Sequence, residues 1–356
     1  MMLDFNNENQ LINFLKRDKH KLLEGLVVED FFMKDVINTQ KWNPWISTGW
    51  WATKVNDPKG DSDYILFHVT SIFPSANDID IYKTLMSKQV VVYHVLLSKN
   101  NLYFLELNEL VLQQPLNFHN YIHEYVFLSK NQLIKKNSVH KAKDETRDSF
   151  LQDRAITYFR KYNIIKEIAL QRYFANYFLT VHFSGSIINI DSFMAFSDGL
   201  AAFEIKFKYP DSKGAYGINT GPANLFHWLL KKDIFIHHYI AKNPSCKKNI
   251  GIFEVITSQS LKSSFYWEKV ILNKEELIGS DSIAPEETSI AGDHTVNFKS
   301  ISANKFMLTN FPVANCLNSL WIPLKKCPQC GHEQVVINGK YSYFLGCSTY
   351  KACSKS

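Results

Sequence analysis

Hydrophobic and polar positions divide the chain into two apolar stretches and a small tail. Residues 129–149 are almost purely polar and predict a linker running into a helix start; a second polar, acidic segment spans 279–295. The expected units are therefore an N-terminal α/β domain over 1–128, a central domain over 150–310 and a tail over 324–356. Leu151, Ala155, Tyr158 and Phe159 recur at helical spacing, as do Ile168, Leu170, Phe174 and Phe178, which predicts helix over 150–178. Residues 187–194 and 200–208 predict two strands joined at Ser197-Asp198-Gly199. A short amphipathic helix is expected over 222–232, with further strands over 234–241 and 250–256. The fold class is α/β, a mixed sheet flanked by helices and preceded by a second α/β unit.

That second unit echoes the first. Phe67–Pro74 aligns with Phe203–Pro210, and Val90–Asn100 resembles Ile234–Asn243. Two readings stand here: a duplicated unit, or two unrelated β-α-β-β segments that look alike because strands look alike. In the earlier copy His68 and Thr70 occupy the positions of Glu204 and Lys206.

Composition narrows the class. Hydrophobic residues make up 46% and aromatics 14%, which excludes a disordered chain. A formal charge of +6 suits a polyanionic partner without requiring one. The opening residues lack an apolar leader, no run has the length of a membrane span, and Cys246 and Cys316 stand isolated, so a reducing, cytoplasmic setting is expected. The cluster Trp42, Trp45, Trp50 and Trp51 reads either as core or as a stacking platform.

The chemistry centres on Asp191 and on Glu204-Ile205-Lys206. Residues two apart share a strand face, so Glu204 and Lys206 point together and Phe203, Ile205 and Phe207 point to the opposite face, with Ile190 and Met194. A two-residue turn at Asp198-Gly199 sets Asp191 across from Lys206 and diagonal to Glu204. Buried like charges repel unless a cation lies between them, and a hard divalent ion with oxygen ligands, ordinarily Mg²⁺, removes that cost. The other reading of the same residues is a surface hairpin with a cross-strand ion pair.

The pattern resembles the PD-(D/E)XK nuclease superfamily over residues ~150–245, in the style of Holliday-junction resolvases and restriction-type endonucleases. The resemblance implies a restriction-endonuclease-like core, Asp191 and Glu204 as metal ligands, and Lys206 as the catalytic lysine. It also implies a helix glutamate, for which Glu167 is the candidate and Asp153 the alternative. The segment 209–221 reads as a flexible loop, with Lys208 and Lys213 as expected phosphate contacts.

The tail carries Cys327-Pro-Gln-Cys330-Gly and Cys347…Cys353 around a spacer that reads as a hairpin with an Asn338-Gly339 turn. Four thiolates suit Zn²⁺ at about 2.3 Å in a tetrahedron. The motif resembles the C4 zinc ribbons at the C-termini of bacterial type I topoisomerases, with Lys351 where that family usually has proline. The resemblance implies structural Zn²⁺ and single-stranded DNA binding. Lys325, Lys326, Lys340 and Tyr343 are the expected contacts there, although the aromatics serve equally well as a miniature core. The expected function is a metal-dependent DNA endonuclease or resolvase-like phosphodiester hydrolase. The alternative is a non-catalytic DNA-binding accessory protein, and RNA is not excluded.

Overall fold

The computed structural model describes residues 3–39, 46–56, 62–98, 101–106, 116–117, 148–179, 187–197, 199–279, 282–284, 296–315, 317, 322 and 324–353. The first half contains α1 (Glu8–Leu15), α2 (His20–Phe32) with a π-helical turn (Met33–Ile37), β1 (Ile46–Asn56) and β2 (Ser62–Thr70). It continues through α3 (Ala76–Ser87), β3 (Val91–Ser98), β4 (Asn101–Glu106) and β5 (Leu116–Asn117). The second half contains α4 (Ser149–Lys161), α5 (Ile165–Tyr173) with a π-helical turn (Phe174–Leu179), β6 (Ile187–Phe196) and β7 (Gly199–Lys208). Then come β8 (Ala215–Asn219), α6 (Thr220–Lys231), β9 (Phe235–Lys242), α7 (Ile252–Thr257), α8 (Gln259–Lys262) and β10 (Tyr266–Leu272). α9 (Lys274–Ile278), β11 (Ser282–Ala284), β12 (Val296–Ser302) and β13 (Met307–Pro312) complete the body. The tail holds β14 (Gln334–Asn338), β15 (Tyr343–Cys347) and α10 (Tyr350–Cys353).

The protein is α/β, built on a large mixed sheet in the order β13-β10-β9-β7-β6-β1-β2-β3-β4-β5. The stretches 1–128 and 150–310 therefore share one sheet, joined where β1 pairs antiparallel with β6. Most of the linker expected over 129–149, with Trp42, Trp45 and Cys316, lies outside the described residues. Among the described residues no helix is long and apolar enough to cross a membrane.

The echo between the halves has a geometric counterpart. β2 and β3 run parallel with Phe67 beside Tyr93 and His68 beside His94; β7 and β9 run parallel with Phe203 beside His237 and Glu204 beside His238. The aligned residues thus meet at the same steps. The helices, however, cross over: α2 packs on β7, and α5 packs on β2. Phe32, at the end of α2, lies 5.8 Å from the Phe203 ring, 4.6 Å from Tyr239 and 5.4 Å from Trp267. Phe174, just after α5, lies 5.4 Å from Phe67. Leu23, Val27, Val28, Phe31 and Phe32 are wholly buried, and each contributes about 1.5–3 kcal/mol over exposure, so α2 is fixed firmly against the other half's strands.

Three expectations of local structure change. The apolar run 250–256 forms helix α7, because Glu254 reaches back to the Gly251 N–H in a capping box and a short apolar run is compatible with either state. The segment 209–221 is not simply a loop: it contains β8, which pairs with β12, and the first residues of α6. The helix expected over 150–178 breaks at Asn163, whose positive φ of 56° ends α4 before α5 begins. Trp50 and Trp51 are both buried, Trp50 stacked on His68 at 4.5 Å.

Candidate functional site

β6 and β7 form the expected antiparallel pair, with a different register. Phe196 pairs with Gly199 and Ser192 with Phe203, so Gly199 belongs to the strand and Asp191 falls level with Glu204 rather than with Lys206. Asp198 lies outside the described residues. The change preserves side-chain parity. Asp191, Glu204 and Lys206 come together, while Phe203 and Ile205 enter the core beneath α2. Met194 joins that core, but Ile190 packs in the second core on the other side of the sheet.

Beyond Ser192 the Asp191 carboxylate takes over backbone pairing. The Ile205 N–H donates to Asp191 Oδ2 at 2.6 Å, and Asn189 Nδ2 donates to Oδ1 at 2.8 Å. Lys206 Nζ lies 3.2 Å from Asp191 Oδ2 and 2.9 Å from Glu204 Oε1. The Asp191 and Glu204 side chains are 1% and 6% exposed, whereas Lys206 is 35% exposed and is the part of the cluster that solvent reaches. Burial raises the Glu204 carboxyl to about 7, against the pull of Lys206, with Asp191 adding to the rise. The two carboxylates, with Glu29, hold the Lys206 ammonium above its ordinary range despite its own burial. Lys206 therefore stays charged and is unsuited to deprotonate a water; it can orient one or neutralise a phosphate oxygen.

The helix carboxylate at this cluster is Glu29, which the sequence reading missed. Burial, then Asp191, pushes its carboxyl well above the carboxylate range, with Lys206 opposing and Glu204 adding. Glu167 is elsewhere, accepting from the Ser71 hydroxyl at 2.8 Å and the Ser71 N–H at 3.3 Å at the end of β2. Asp153 pairs with Lys16 at 2.5 Å near the surface. Glu167 misses the cluster because α5 packs on β2 of the other half, and Asp153 because α4 packs on α2 rather than on β6 or β7. The only signal that could have found Glu29 is its place two residues before the aromatic pair Phe31-Phe32.

The expected phosphate contacts differ in availability. Lys213 is exposed in the turn before β8, whereas Lys208 donates from Nζ to the Gly217 carbonyl and is lowered to about 8 by burial and by Lys206. A groove of about 640 Å³ opens beside Lys206, between α2 and the ends of β6 and β7.

In the tail the four cysteines gather. The sulfurs of Cys327, Cys330, Cys347 and Cys353 all lie within 4.8 Å of one another, with Cys327–Cys353 at 3.7 Å and Cys330–Cys347 at 3.3 Å. A tetrahedron with 2.3 Å bonds needs sulfurs about 3.8 Å apart, so the set can hold one metal ion, consistent with a zinc ribbon. Backbone N–H groups of Cys330 and Gln329 lower the Cys327 thiol to about 7, while crowding by Cys330, burial and Cys327 push Cys353 up to about 12. A cation removes that conflict. Gly331, at φ 72°, donates its N–H to the Cys327 carbonyl and turns the first knuckle. The hairpin is closed by Gly339–Ser342 rather than by a two-residue Asn-Gly turn, since Asn338 pairs with Tyr343.

Tyr343 is half-buried and, with Val336 and Leu345, packs against the main core. Lys325 pairs with Asp148 at 3.1 Å and Lys326 with Glu333 at 4.0 Å. Lys340 lies 5.2 Å from the exposed Tyr341 ring, and Phe344 and Tyr350 are also exposed. Compared with known families, curated proteins and solved structures, the chain matches none. The functional reading therefore rests on the residues themselves.

Proposed function

We propose that the protein is a divalent-metal-dependent DNA nuclease whose zinc ribbon helps to hold the strand. One observation carries this reading: the buried Asp191 and Glu204 carboxyl groups meet at Lys206, with Glu29 near enough to interact with all three, while Arg172 and Lys208 add further positive charge. Crowding carboxylates in this way is costly, and a divalent cation would relieve it. Asp191 and Glu204, with Glu29, would hold Mg²⁺, which when bound supplies charge neutralisation at a scissile phosphate. Asn189 and the Ile205 N–H fix the Asp191 carboxylate, and Lys206 orients the water that adds to phosphorus as the bond to the leaving oxygen breaks. In the tail the four thiolates would hold one structural Zn²⁺, and Lys340, Tyr341 and Phe344 present a cation and aromatic faces to unpaired bases.

The non-catalytic reading has one observation in its favour. Among the described residues only the cysteines form a metal-spaced cluster, and Lys206 Nζ bridges Asp191 and Glu204 by itself. Cleavage of single-stranded, duplex and branched DNA, with and without Mg²⁺ or Mn²⁺, separates the two. The nuclease reading expects metal-dependent products that Asp191→Asn abolishes with DNA affinity within about threefold. No products on any substrate would leave the accessory role. For the ribbon, metal analysis should return one zinc per chain, lost in Cys330→Ser.

A further inference from the structure

The groove beside Lys206 has a lining that the catalytic cluster does not explain. Lys21, Arg172, Lys206, Lys208, Lys247 and Lys248 line it with Trp51, against two acids, Glu24 and Glu29. Lys21 is lowered by burial and by Lys248, with Glu24 opposing, and Lys208 by burial and by Lys206, with Glu204 opposing, so the cations outnumber the acids and repel one another. Such repulsion is relieved by a polyanion running along the groove. In the same lining Trp51 is only 6% exposed, and its indole Nε1 finds no hydrogen-bond partner among the described residues. A buried unpaired donor costs about 1–3 kcal/mol, which an incoming acceptor recovers. A groove of about 640 Å³ lies within the roughly 300–1,000 Å³ typical of pockets that enclose one small organic molecule. With Asp191 and Glu204 at 1% and 6% exposed, the convex backbone of a paired helix cannot approach the carboxylates; a strand whose bases are unstacked can.

We propose that this groove is a binding site for an unpaired DNA strand, with consecutive phosphates on Lys247, Lys248 and Lys21 and one base seated against Trp51, accepting a hydrogen bond from its Nε1–H. This deepens the nuclease reading and rests on it: the substrate class is unpaired DNA, such as an end, flap or gap, rather than continuous duplex. Lys247, Lys248 and Lys21 are exposed, so charge reversal there spares the fold.

The test uses the full-length, zinc-loaded protein and a fluorescein-labelled 12-nucleotide single strand against its blunt duplex, by anisotropy without added Mg²⁺ or Mn²⁺ and without chelator. The single strand should bind at least tenfold more tightly. Lys247→Glu/Lys248→Glu should weaken single-strand binding more than tenfold with an unchanged melting temperature. Trp51→Phe, which keeps a ring and removes the donor, should weaken it about fivefold. Equal affinity for duplex, or no effect of the lysine pair, overturns the proposal; the latter would place single-strand binding on the ribbon alone. The two readings fail separately. Lysine-dependent single-strand binding without cleavage on any substrate sinks the nuclease and spares the groove. Cleavage of intact duplex as fast as single strand, abolished by Asp191→Asn, does the reverse.

Discussion

The two halves of the sheet set a buried polar cluster at the same step of their parallel strand pairs and satisfy it in opposite ways. In the second half Glu204, beside His238, is joined to Asp191, Lys206 and Glu29, all ionisable and crowded. In the first half His68, beside His94, belongs to a hydrogen-bonded chain of neutral side chains, with the Asp78 carboxylate 4.0 Å from His68 Nε2. His68 Nε2 lies 2.9 Å from the Thr48 carbonyl, Nδ1 lies 2.5 Å from the Tyr82 hydroxyl, and that hydroxyl lies 2.8 Å from His94 Nδ1. The Thr48 carbonyl only accepts, so His68 carries its proton on Nε2 and takes the Tyr82 proton at Nδ1. The Tyr82 oxygen then accepts from His94 Nδ1–H. Burial lowers His68 to about 4 and His94 to about 3, which keeps both neutral. Gly49, which the β1–β6 register sets across from Asp191, leaves no carboxylate there; a Cβ would come within 2.6 Å of the Val69 carbonyl. The lesson is that one scaffold supports a cluster dominated by crowded ionisable groups and another in which neutral side chains bond to one another.

Four measurements break or sharpen that contrast. The largest effect is expected from Lys206→Ala, which should cut metal-dependent cleavage by on the order of 10³-fold, since it removes charge from where it develops at phosphorus. His94→Gln in the neutral cluster should leave the cleavage rate within about threefold in folded protein. A large rate loss there would join the two clusters into one site. Next, Tyr82→Phe should cost about 2–4 kcal/mol in urea unfolding, because one bare Nδ1 and one Nδ1–H lose their partners together.

The third measurement is the pH dependence of stability, where the clusters have opposite signs. For His68 and His94 the folded state binds fewer protons than the unfolded state below 6.5. Their stabilisation is thus complete above that pH and is lost as pH falls toward 4. For Glu204 the folded state binds more protons between 4.5 and about 7. Metal-free stability therefore declines as pH rises through that window. Glu204→Gln should make the second slope shallower, leaving the share of the other raised carboxyl groups Glu24 and Glu29, and keep the first; identical slopes in variant and parent would refute the assignment. The smallest effect is that of Glu29→Gln, expected to weaken Mn²⁺ affinity about tenfold by calorimetry while raising the metal-free melting temperature by a few degrees.

Strand parity made much of the site legible. Alternation put Glu204 and Lys206 together, Asp191 joined them because the register moved by two residues and not by one, and the four cysteines announced their cluster by spacing alone. What stayed hidden depended on distance along the chain. Glu29 lies in a helix of the first half, and only the crossing of α2 and α5 brings it to β7 in place of Glu167. Tyr343 had the composition of a stacking residue, and only the docking of the tail on the body shows it packed. The α7 misreading came from a capping contact that outweighed an apolar run equally suited to a strand.

The crossed helices also impose an order on synthesis. α2 is made among the first elements, yet the strands that cover Phe31 and Phe32 leave the ribosome only after β7 and β9 are translated. At about 5–20 residues per second that delay is roughly 10–40 s, during which a strongly apolar helix lacks the strands it packs on. Expression at reduced translation speed should therefore lower the protein's soluble yield.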